Sequence, residues 1–238
     1  MSPDKSSTHN RYLPFIIIGA VLAVAVVAGT MWFRSAEPAA PAAATSQTAS
    51  VQPVPARRDP LPGARPPHVR GVDRAPVTLE EFGDFQCPPC AALHPEMKKI
   101  EADFGERLRV VFRHLPLPNH QYAVDAARAA EAAAKQGRFW EMHDMIFENQ
   151  NAWKNGPDVR AIFTTYARNL GLNVEKFKAD MDAMDVAQRI VADQQRAASL
   201  GVTGTPTVFL NGRELDFRNL TLEGLRAEIE AAGAGKKQ

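Results

Sequence analysis

The chain of 238 residues contains two cysteines, and they stand in one short motif, Cys87-Pro88-Pro89-Cys90. Two cysteines exclude a small domain stapled by several disulfides, and they exclude a four-cysteine metal site. The fold must therefore depend on an apolar core, which a hydrophobic content of 45% can supply. The two cysteines are only three positions apart, and this spacing is typical of a pair that forms and breaks a disulfide.

A Cys-x-x-Cys motif on the first turn of a helix brings two sulfur atoms close enough to form and break a disulfide. The helix N-terminus favours a thiolate, so the pKa of the first cysteine is expected to be low. We expect Cys87 to be the exposed nucleophile and Cys90 the buried resolving thiol. Pro88 and Pro89 fit this position, because the first helical residues have no intrahelical N–H partner to lose. They also lack an N–H for a Cys87 thiolate, which limits the expected fall in pKa.

Two other uses of the motif need to be considered. Half of a zinc site would require two further ligands, and the six histidines include no His-x₃₋₅-His pair. A permanent structural disulfide is possible in an exported chain, but closing a two-residue gap constrains the unfolded state very little. We therefore predict a redox-active pair with no metal.

The residues around the motif predict a strand, a helix and a second strand. The strand covers 77–82, the helix 91–104 with apolar residues at helical spacing, and the second strand 108–115. A helix between two strands is typical of a βαβ unit with parallel strands.

Helical patterns then dominate up to residue 200, near 120–136, 138–149, 158–170, 174–183 and 185–200. A strand at 207–210 follows, and Asn211-Gly212 predicts a hairpin before a last helix over 221–232. One helical segment is rich in aromatic and methionine side chains, which suit core packing better than a peptide-binding groove. These residues are Phe139, Trp140, Met142, Met145, Ile146 and Phe147.

The N-terminal third differs from the rest. Residues 12–33 carry no charge, and these 22 residues are long enough to cross a bilayer. We predict a transmembrane signal anchor at 12–33, a cytoplasmic N-terminus at 1–11 and a Pro/Ala-rich flexible linker at 34–75. A cleaved secretory signal is the alternative, and it would export the domain at 76–235 equally. The expected location is the periplasmic side of the inner membrane.

Longer motifs resemble the DsbA-like thiol:disulfide oxidoreductases. They are Phe82-Gly83-Asp84-Phe85 before the cysteines, His94-Pro95-Glu96 after them, Phe139-Trp140-Glu141-Met142-His143-Asp144, and Gly204-Thr205-Pro206-Thr207 before the hairpin. The resemblance covers about residues 70–232. It implies an α/β, thioredoxin-like fold with a helical insertion at about 117–200, between the βαβ unit and the cis-proline loop with its hairpin. The predicted membrane helix precedes this fold.

The resemblance also implies roles for single residues. Pro206 is expected to be cis and to face the cysteines, and the Thr205 backbone to pair with a substrate strand. Glu81 matches a buried carboxylate that exchanges protons with the resolving thiol, although the neighbouring Glu80 competes for this role. Pro88 and Pro89 are expected to contact substrate and to tune the redox potential.

By this resemblance the chain donates disulfides to exported proteins through Cys87 and Cys90 and is reoxidised by a DsbB-type membrane protein. The alternatives are a reductase or isomerase kept reduced by a DsbD-type donor, and a non-catalytic binding or chaperone module. No bound cofactor is expected. Lys and Arg number 28 against 27 Asp and Glu, so no nucleic-acid partner is expected either.

Overall fold

A computed structural model describes residues 61–234, which form five strands and eight α-helices. The strands are β1 (His68–Gly71), β2 (Val77–Gly83), β3 (Leu108–His114), β4 (Thr207–Leu210) and β5 (Arg213–Glu214). The helices are α1 (Pro88–Phe104), α2 (Ala123–Ala134), α3 (Phe139–Glu148), α4 (Gln150–Trp153), α5 (Val159–Asn169), α6 (Val174–Met181), α7 (Met184–Ser199) and α8 (Leu222–Ala234). Short 3₁₀ turns lie at Gly105–Arg107 and Phe217–Asn219.

The strands form one mixed sheet in the order β1-β3-β2-β4-β5. Strands β2 and β3 are parallel and are connected through α1, whereas the other three pairs are antiparallel. The predicted βαβ unit is therefore confirmed. It places the N-terminus of α1 directly after the carboxyl end of the central strand β2.

Two apolar clusters build most of the core. One joins α1 and α8 to the sheet through Val77, Leu79, Leu93, Met97, Ile100, Phe104, Leu108, Val110, Val208, Leu210, Leu215, Leu225 and Ile229. The other joins the sheet to helices α2–α6 of the insertion, and it includes both cysteines. The aromatic and methionine segment belongs to this second cluster: Phe139, Met142, Ile146 and Phe147 are buried. The prediction that this segment packs in the core is confirmed.

The turn residues Asn211 and Gly212 explain the hairpin between β4 and β5. Asn211 has a φ of 49° and Gly212 a φ of 85°. Two consecutive residues with positive φ are the geometry of a type I′ turn, for which Asn-Gly is the favoured sequence. The hairpin fixes the end of β4, the strand that follows the Thr205-Pro206 loop.

The start of the domain differs from the prediction. The linker was predicted to extend to residue 75, but β1 pairs antiparallel with β3 from His68 to Gly71. Ala64 is also buried, with 3% of its surface exposed. The prediction is therefore wrong for residues 61–71. The reason is that this segment is held by hydrogen bonds to distant residues, which a local count of apolar side chains does not detect.

No helix within residues 61–234 is long and apolar enough to cross a membrane. The predicted anchor at 12–33, the cytoplasmic segment at 1–11 and the linker up to residue 60 lie outside the described residues.

Candidate active site

Cys87 and Cys90 lie at the beginning of α1. Cys87 is the N-cap residue, and Pro88 and Pro89 occupy the first two helical positions. The Cys87 carbonyl accepts a hydrogen bond from the Ala91 N–H at 3.2 Å, and the Cys87 N–H donates to the Asp84 carbonyl at 3.1 Å. The turn from β2 into α1 therefore sets the position of Cys87 through its backbone.

Both sulfur atoms are well covered. Cys87 is 4% exposed and Cys90 is fully buried, and both are free thiols. The expectation of an exposed Cys87 is therefore wrong in extent, because the Thr205 loop and the helical insertion cover it. Cys87 remains the outer thiol of the pair.

The two thiols differ strongly in acidity. A hydrogen bond from the Cys90 thiol is the main cause that lowers the pKa of Cys87 to about 6, and a hydrogen bond from the Cys90 backbone N–H adds to it. Burial raises the pKa of Cys90 well above its ordinary value. One proton shared by the pair therefore resides on Cys90, which leaves Cys87 as the thiolate at neutral pH.

The Thr205-Pro206 loop faces Cys87. The Thr205-Pro206 peptide bond is cis. The Cys87 Sγ lies 3.4 Å from the Thr205 carbonyl oxygen, and when Cys87 is protonated its thiol donates a hydrogen bond to this oxygen. The Thr205 Oγ1 is buried and has no hydrogen-bond partner. Strand pairing explains the contact, because Phe82 and Thr207 are register partners and the loop therefore meets the end of β2.

Glu81 and Glu80 lie on opposite sides of β2, as neighbours on a strand must. Glu81 is 5% exposed. Burial raises the pKa of Glu81 to about 8, and the charge of Glu101 acts in the same direction. The Glu81 charge in turn raises the pKa of Cys90, so this carboxyl is close enough to act on the inner thiol.

The Glu80 carboxylate forms ion pairs with two arginines. Its Oε1 accepts from Arg113 Nε at 2.8 Å, and its Oε2 accepts from Arg196 Nη2 at 2.6 Å. The arginine hydrogen bonds lower the pKa of Glu80, although burial opposes them. Of the two neighbouring carboxyl groups, Glu81 is therefore the buried one with a raised pKa, and Glu80 lies in an ion-pair network.

The sequence analysis assigned no role to Asp84, yet this residue organises the turn before the cysteines. Its carboxylate is buried and accepts hydrogen bonds from the Gln86 N–H at 2.7 Å and the Leu117 N–H at 2.8 Å. His120 Nδ1 lies 2.7 Å from the same carboxylate. The position of Asp84 between a strand and the cysteines was the only signal in the sequence.

Gln150 is a second residue that the sequence analysis missed. Its buried side-chain amide donates to the carbonyls of Phe85 at 2.8 Å and Cys87 at 3.0 Å. It comes from α4, a single turn that the helix prediction did not include. The helical insertion thus holds the active-site turn by direct hydrogen bonds.

Several histidines that are far apart in the sequence lie close together in the structure. Among residues 61–234, two groups of side chains have metal-ligand spacing, His68 with His114 and Glu131, and His94 with His143 and Asp144. Neither group includes a cysteine. The first group is already neutralised, because Arg189 Nε lies 2.7 Å from the Glu131 carboxylate.

Comparisons with known proteins agree with this architecture. The family model described as Thioredoxin matches residues 64–231. The structure is similar to oxidised BdbD of Bacillus subtilis, with 25% identity, a TM-score of 0.62, and coverage of 73% of this chain and 98% of that one. It is also similar to a thioredoxin-like oxidoreductase of Silicibacter pomeroyi, with 26% identity, a TM-score of 0.59, and coverage of 71% and 92%.

A further match shows the fold. The α-DsbA1 structure of Wolbachia pipientis is 21% identical with a TM-score of 0.60, covering 71% of this chain and 92% of that one. The chain belongs to the thioredoxin family, and its fold is that of the DsbA-like thiol:disulfide oxidoreductases.

Curated relatives also include Na(+)/H(+) antiporters. The NhaA 1 antiporter of Salinispora arenicola is 41% identical over 171 residues, which are 71% of this chain and 25% of the antiporter. The chain thus spans about a quarter of the length of the curated relatives that it matches. The shared segment is as long as the thioredoxin-family match, and it gives no reason to assign ion transport to this chain.

Proposed function

We propose that this chain oxidises dithiols of exported proteins by donating a disulfide formed between Cys87 and Cys90. The observation that carries the proposal is the contact of Cys87 Sγ with the Thr205 carbonyl, 3.4 Å away. It brings the thiol pair against a loop more than a hundred residues later in the chain. A substrate that reaches the loop therefore also reaches the outer sulfur.

In the first step, a substrate thiolate attacks Cys87 Sγ of the oxidised pair. The new bond joins the substrate sulfur to Cys87, and the bond between Cys87 and Cys90 breaks. Cys90 leaves as a thiolate. Attack occurs at Cys87 because Cys90 is fully buried.

In the second step, the Cys90 thiolate takes up a proton. Glu81 has a pKa of about 8, so its carboxyl is protonated at neutral pH and can donate. The pKa of Cys90 is raised well above that of an ordinary thiol, which makes it a strong proton acceptor. Glu81 regains its proton from solvent between turnovers.

In the third step, the second thiol of the substrate, as a thiolate, attacks the substrate sulfur of the mixed disulfide. The substrate disulfide forms and Cys87 leaves as a thiolate, which its pKa of about 6 favours. The substrate has lost two electrons and the cysteine pair has gained them. A DsbB-type membrane oxidant is the proposed acceptor of these electrons.

Substrate binding is proposed at the Thr205-Pro206 loop and at Pro88 and Pro89. The backbone of Thr205 would add a substrate strand through main-chain hydrogen bonds. Pro88 and Pro89 are exposed beside the covered thiols. They offer apolar contact without an N–H that needs a partner.

Transfer to a reduced dithiol peptide tests the proposal. We expect the oxidised chain to form one peptide disulfide per cysteine pair. Cys87→Ala and Cys90→Ala should each abolish transfer, because neither variant can form the disulfide that is donated. With an oxidised peptide in place of the reduced one, the Cys87 thiolate of Cys90→Ala should attack the peptide disulfide, release one peptide thiolate and remain as a mixed disulfide, because the resolving thiol is absent. A Cys87→Ala chain that keeps its full effect on the substrate would indicate a binding or chaperone module instead.

The proposed location is the extracytoplasmic face of the inner membrane, with residues 12–33 as the anchor. The support comes from the length and apolarity of that segment. We expect the full chain to sediment with membranes after alkaline carbonate extraction, and residues 61–234 to be accessible to protease in spheroplasts. Release of the protein into the soluble periplasmic fraction would favour a cleaved signal.

A further inference from the structure

A group of three side chains between α1 and α3 is separate from the thiol pair. His94 belongs to α1, and His143 and Asp144 belong to α3; we name them the α1–α3 histidine cluster. One potential ligand atom from each lies within 4.8 Å of the others. His94 is one helical turn after Cys90, so the cluster is on the helix that carries the thiols.

Both histidines of the cluster have unused buried nitrogens. His94 is 6% exposed and His143 is 5% exposed, and the Nε2 of each has no hydrogen-bond partner. The His94 Nε2 lies 3.9 Å from Asp144 Oδ1 and 3.9 Å from Glu148 Oε1, too far for hydrogen bonds. Buried polar atoms without partners are uncommon, and a bound ion is one of the ordinary explanations.

We propose that the α1–α3 histidine cluster binds Zn²⁺ through His94, His143 and Asp144, with Glu148 as the fourth ligand. Two imidazoles and two carboxylates are a donor set that Zn²⁺ accepts in tetrahedral geometry. Ligand atoms about 2.0–2.2 Å from the metal are about 3.3 Å apart in a tetrahedron. The gaps of 3.9 Å from His94 therefore need only a small closure around an ion.

Arg70 and the protonation states of the ligands favour metal binding by the α1–α3 histidine cluster. Arg70 Nη2 donates to Asp144 Oδ2 at 2.9 Å, which fixes the orientation of the carboxylate. Its Oδ1 faces the two imidazoles, 2.9 Å from His143 Nδ1 and 3.9 Å from His94 Nε2, so a metal bound there would take the place of the hydrogen bond to His143. Burial lowers the pKa of both imidazoles, so they are neutral ligands at pH 7. Hydrogen bonding to His143 and the charge of Arg70 lower the pKa of Asp144 to about 2, although burial opposes them.

Lys98 is the competing cation. Its Nζ lies 2.8 Å from Glu148 Oε1 and 3.8 Å from Asp144 Oδ2. The Lys98 side chain is 44% exposed, so it can move into solvent when a metal takes Glu148. Lys98 therefore weakens zinc binding without preventing it, and its removal is expected to strengthen the site.

The absence of a His-x₃₋₅-His pair in the sequence does not argue against this site, because its ligands come from two helices. The prediction of no metal concerned the cysteines, and the proposed site does not include them. Zinc in the α1–α3 histidine cluster would connect the helix that carries Cys87 and Cys90 to the helical insertion. It would act on stability and not as a reactant.

Zinc binding by the full chain tests the proposal. The chain carries Cys87→Ser and Cys90→Ser, so that the thiols cannot bind the metal, and it is dialysed against ZnCl₂ before its metal content is measured. We expect about one Zn²⁺ per chain. His94→Asn should weaken binding by at least the roughly 10–100-fold that loss of an outer-shell partner costs. Glu106→Gln, which alters an exposed carboxylate outside the cluster, should leave it unchanged.

A gain of affinity gives the stronger test, because a damaged fold cannot produce it. Lys98→Met should tighten zinc binding several-fold, and Lys99→Met, a change in the next residue of the same helix, should have no effect. Circular dichroism of each variant reports whether the fold is retained. Failure to bind stoichiometric zinc, or binding that neither His94→Asn nor Lys98→Met changes, would overturn the proposal.

Discussion

At the scale of single residues, Glu80 and Glu81 show how strand geometry separates two identical side chains. Glu81 is buried near Cys90 with a raised pKa, whereas Glu80 pairs with Arg113 and Arg196 and has a lowered pKa. The sequence left both as candidates for the proton-exchanging carboxylate. The opposite directions of their pKa shifts predict opposite effects of pH on folding stability.

Glu81→Gln is expected to flatten the pH dependence of stability. The folded pKa of about 8 exceeds the ordinary value of 4.5, so the unfolded chain loses its proton first as pH rises. The wild type should therefore lose about 3 kcal/mol of unfolding free energy between pH 5 and pH 8 through this one group. Urea unfolding of both reduced proteins at the two pH values measures it. Equal pH dependence in the two proteins would contradict a raised pKa.

Glu80→Gln is the matched control, and its effect has the opposite sign. The folded pKa of Glu80 is lowered, so its stabilisation is present above the ordinary carboxyl pKa and is lost as pH falls. We expect the variant to be less stable at pH 7 by about 3 kcal/mol, since two arginines lose a buried partner. The difference should shrink in acid, and the same urea titrations report it.

Cys90 is expected to control the acidity of Cys87. The hydrogen bond from the Cys90 thiol is the largest cause of the low Cys87 pKa. Cys90→Ala should therefore raise this pKa from about 6 toward the ordinary thiol value, whereas Cys90→Ser, which keeps a donor, should raise it less. The rate of alkylation by iodoacetamide as a function of pH gives the Cys87 pKa. A value that is identical in the two variants would exclude the hydrogen bond as the cause.

At the scale of secondary-structure elements, the sequence predicted those with strong local patterns. The βαβ unit, the five longer helices of the insertion and the Asn-Gly hairpin follow from apolar periodicity and turn residues. Strand β1 and helix α4 were missed. Each is four residues long and is stabilised by distant partners, so neither leaves a periodic pattern in the sequence.

Helix α4 contributes through Gln150, which connects it to the active-site turn. Gln150→Ala removes two buried hydrogen bonds to backbone carbonyls and leaves those oxygens without this donor. We expect a loss of about 2 kcal/mol in unfolding free energy. Asn149→Ala, which changes an exposed neighbour, should cost less than about 0.5 kcal/mol. Urea denaturation compares them, and equal losses would show that Gln150 does not support the turn.

At the scale of the whole molecule, the segment before β2 is part of the domain because of polar contacts that cross the fold. Asp193 on α7 accepts from the Ala64 N–H at 2.8 Å, from Arg113 Nη1 at 3.0 Å and from the His114 N–H at 3.2 Å. Arg113 also donates to the Ala64 carbonyl at 2.9 Å. One buried ion pair thus joins the start of the domain, the sheet and the helical insertion.

Asp193→Asn is expected to loosen this segment. The substitution leaves the buried Arg113 with a neutral partner, which should cost about 3 kcal/mol. Hydrogen exchange should become faster at residues 61–71, where these contacts hold the chain. Asp185→Asn on the same helix, which pairs with Lys135 at the surface, should change stability by less than about 0.5 kcal/mol. Unchanged exchange in Asp193→Asn would show that the ion pair does not hold the segment.

The candidate site was only partly predictable from the sequence, because some of its contacts join residues that are distant along the chain. Cys87, Cys90, Glu81, Thr205 and Pro206 could be named because they belong to sequence motifs. Asp84 and Gln150 could not be given roles, since their contacts exist only after the strand, the turn and α4 have packed together. The α1–α3 histidine cluster is another product of packing, because its ligands come from separate helices.

The reduction potential of the Cys87/Cys90 pair tests the central proposal most directly. It is obtained from the equilibrium of the full chain with glutathione, where each 30 mV corresponds to about 1.4 kcal/mol. A disulfide donor is a strong oxidant because its reduced form is stabilised, so the proposal predicts a potential nearer the roughly −120 mV of DsbA than the roughly −270 mV of thioredoxin. A potential near that of thioredoxin would contradict disulfide donation and would identify a reductase.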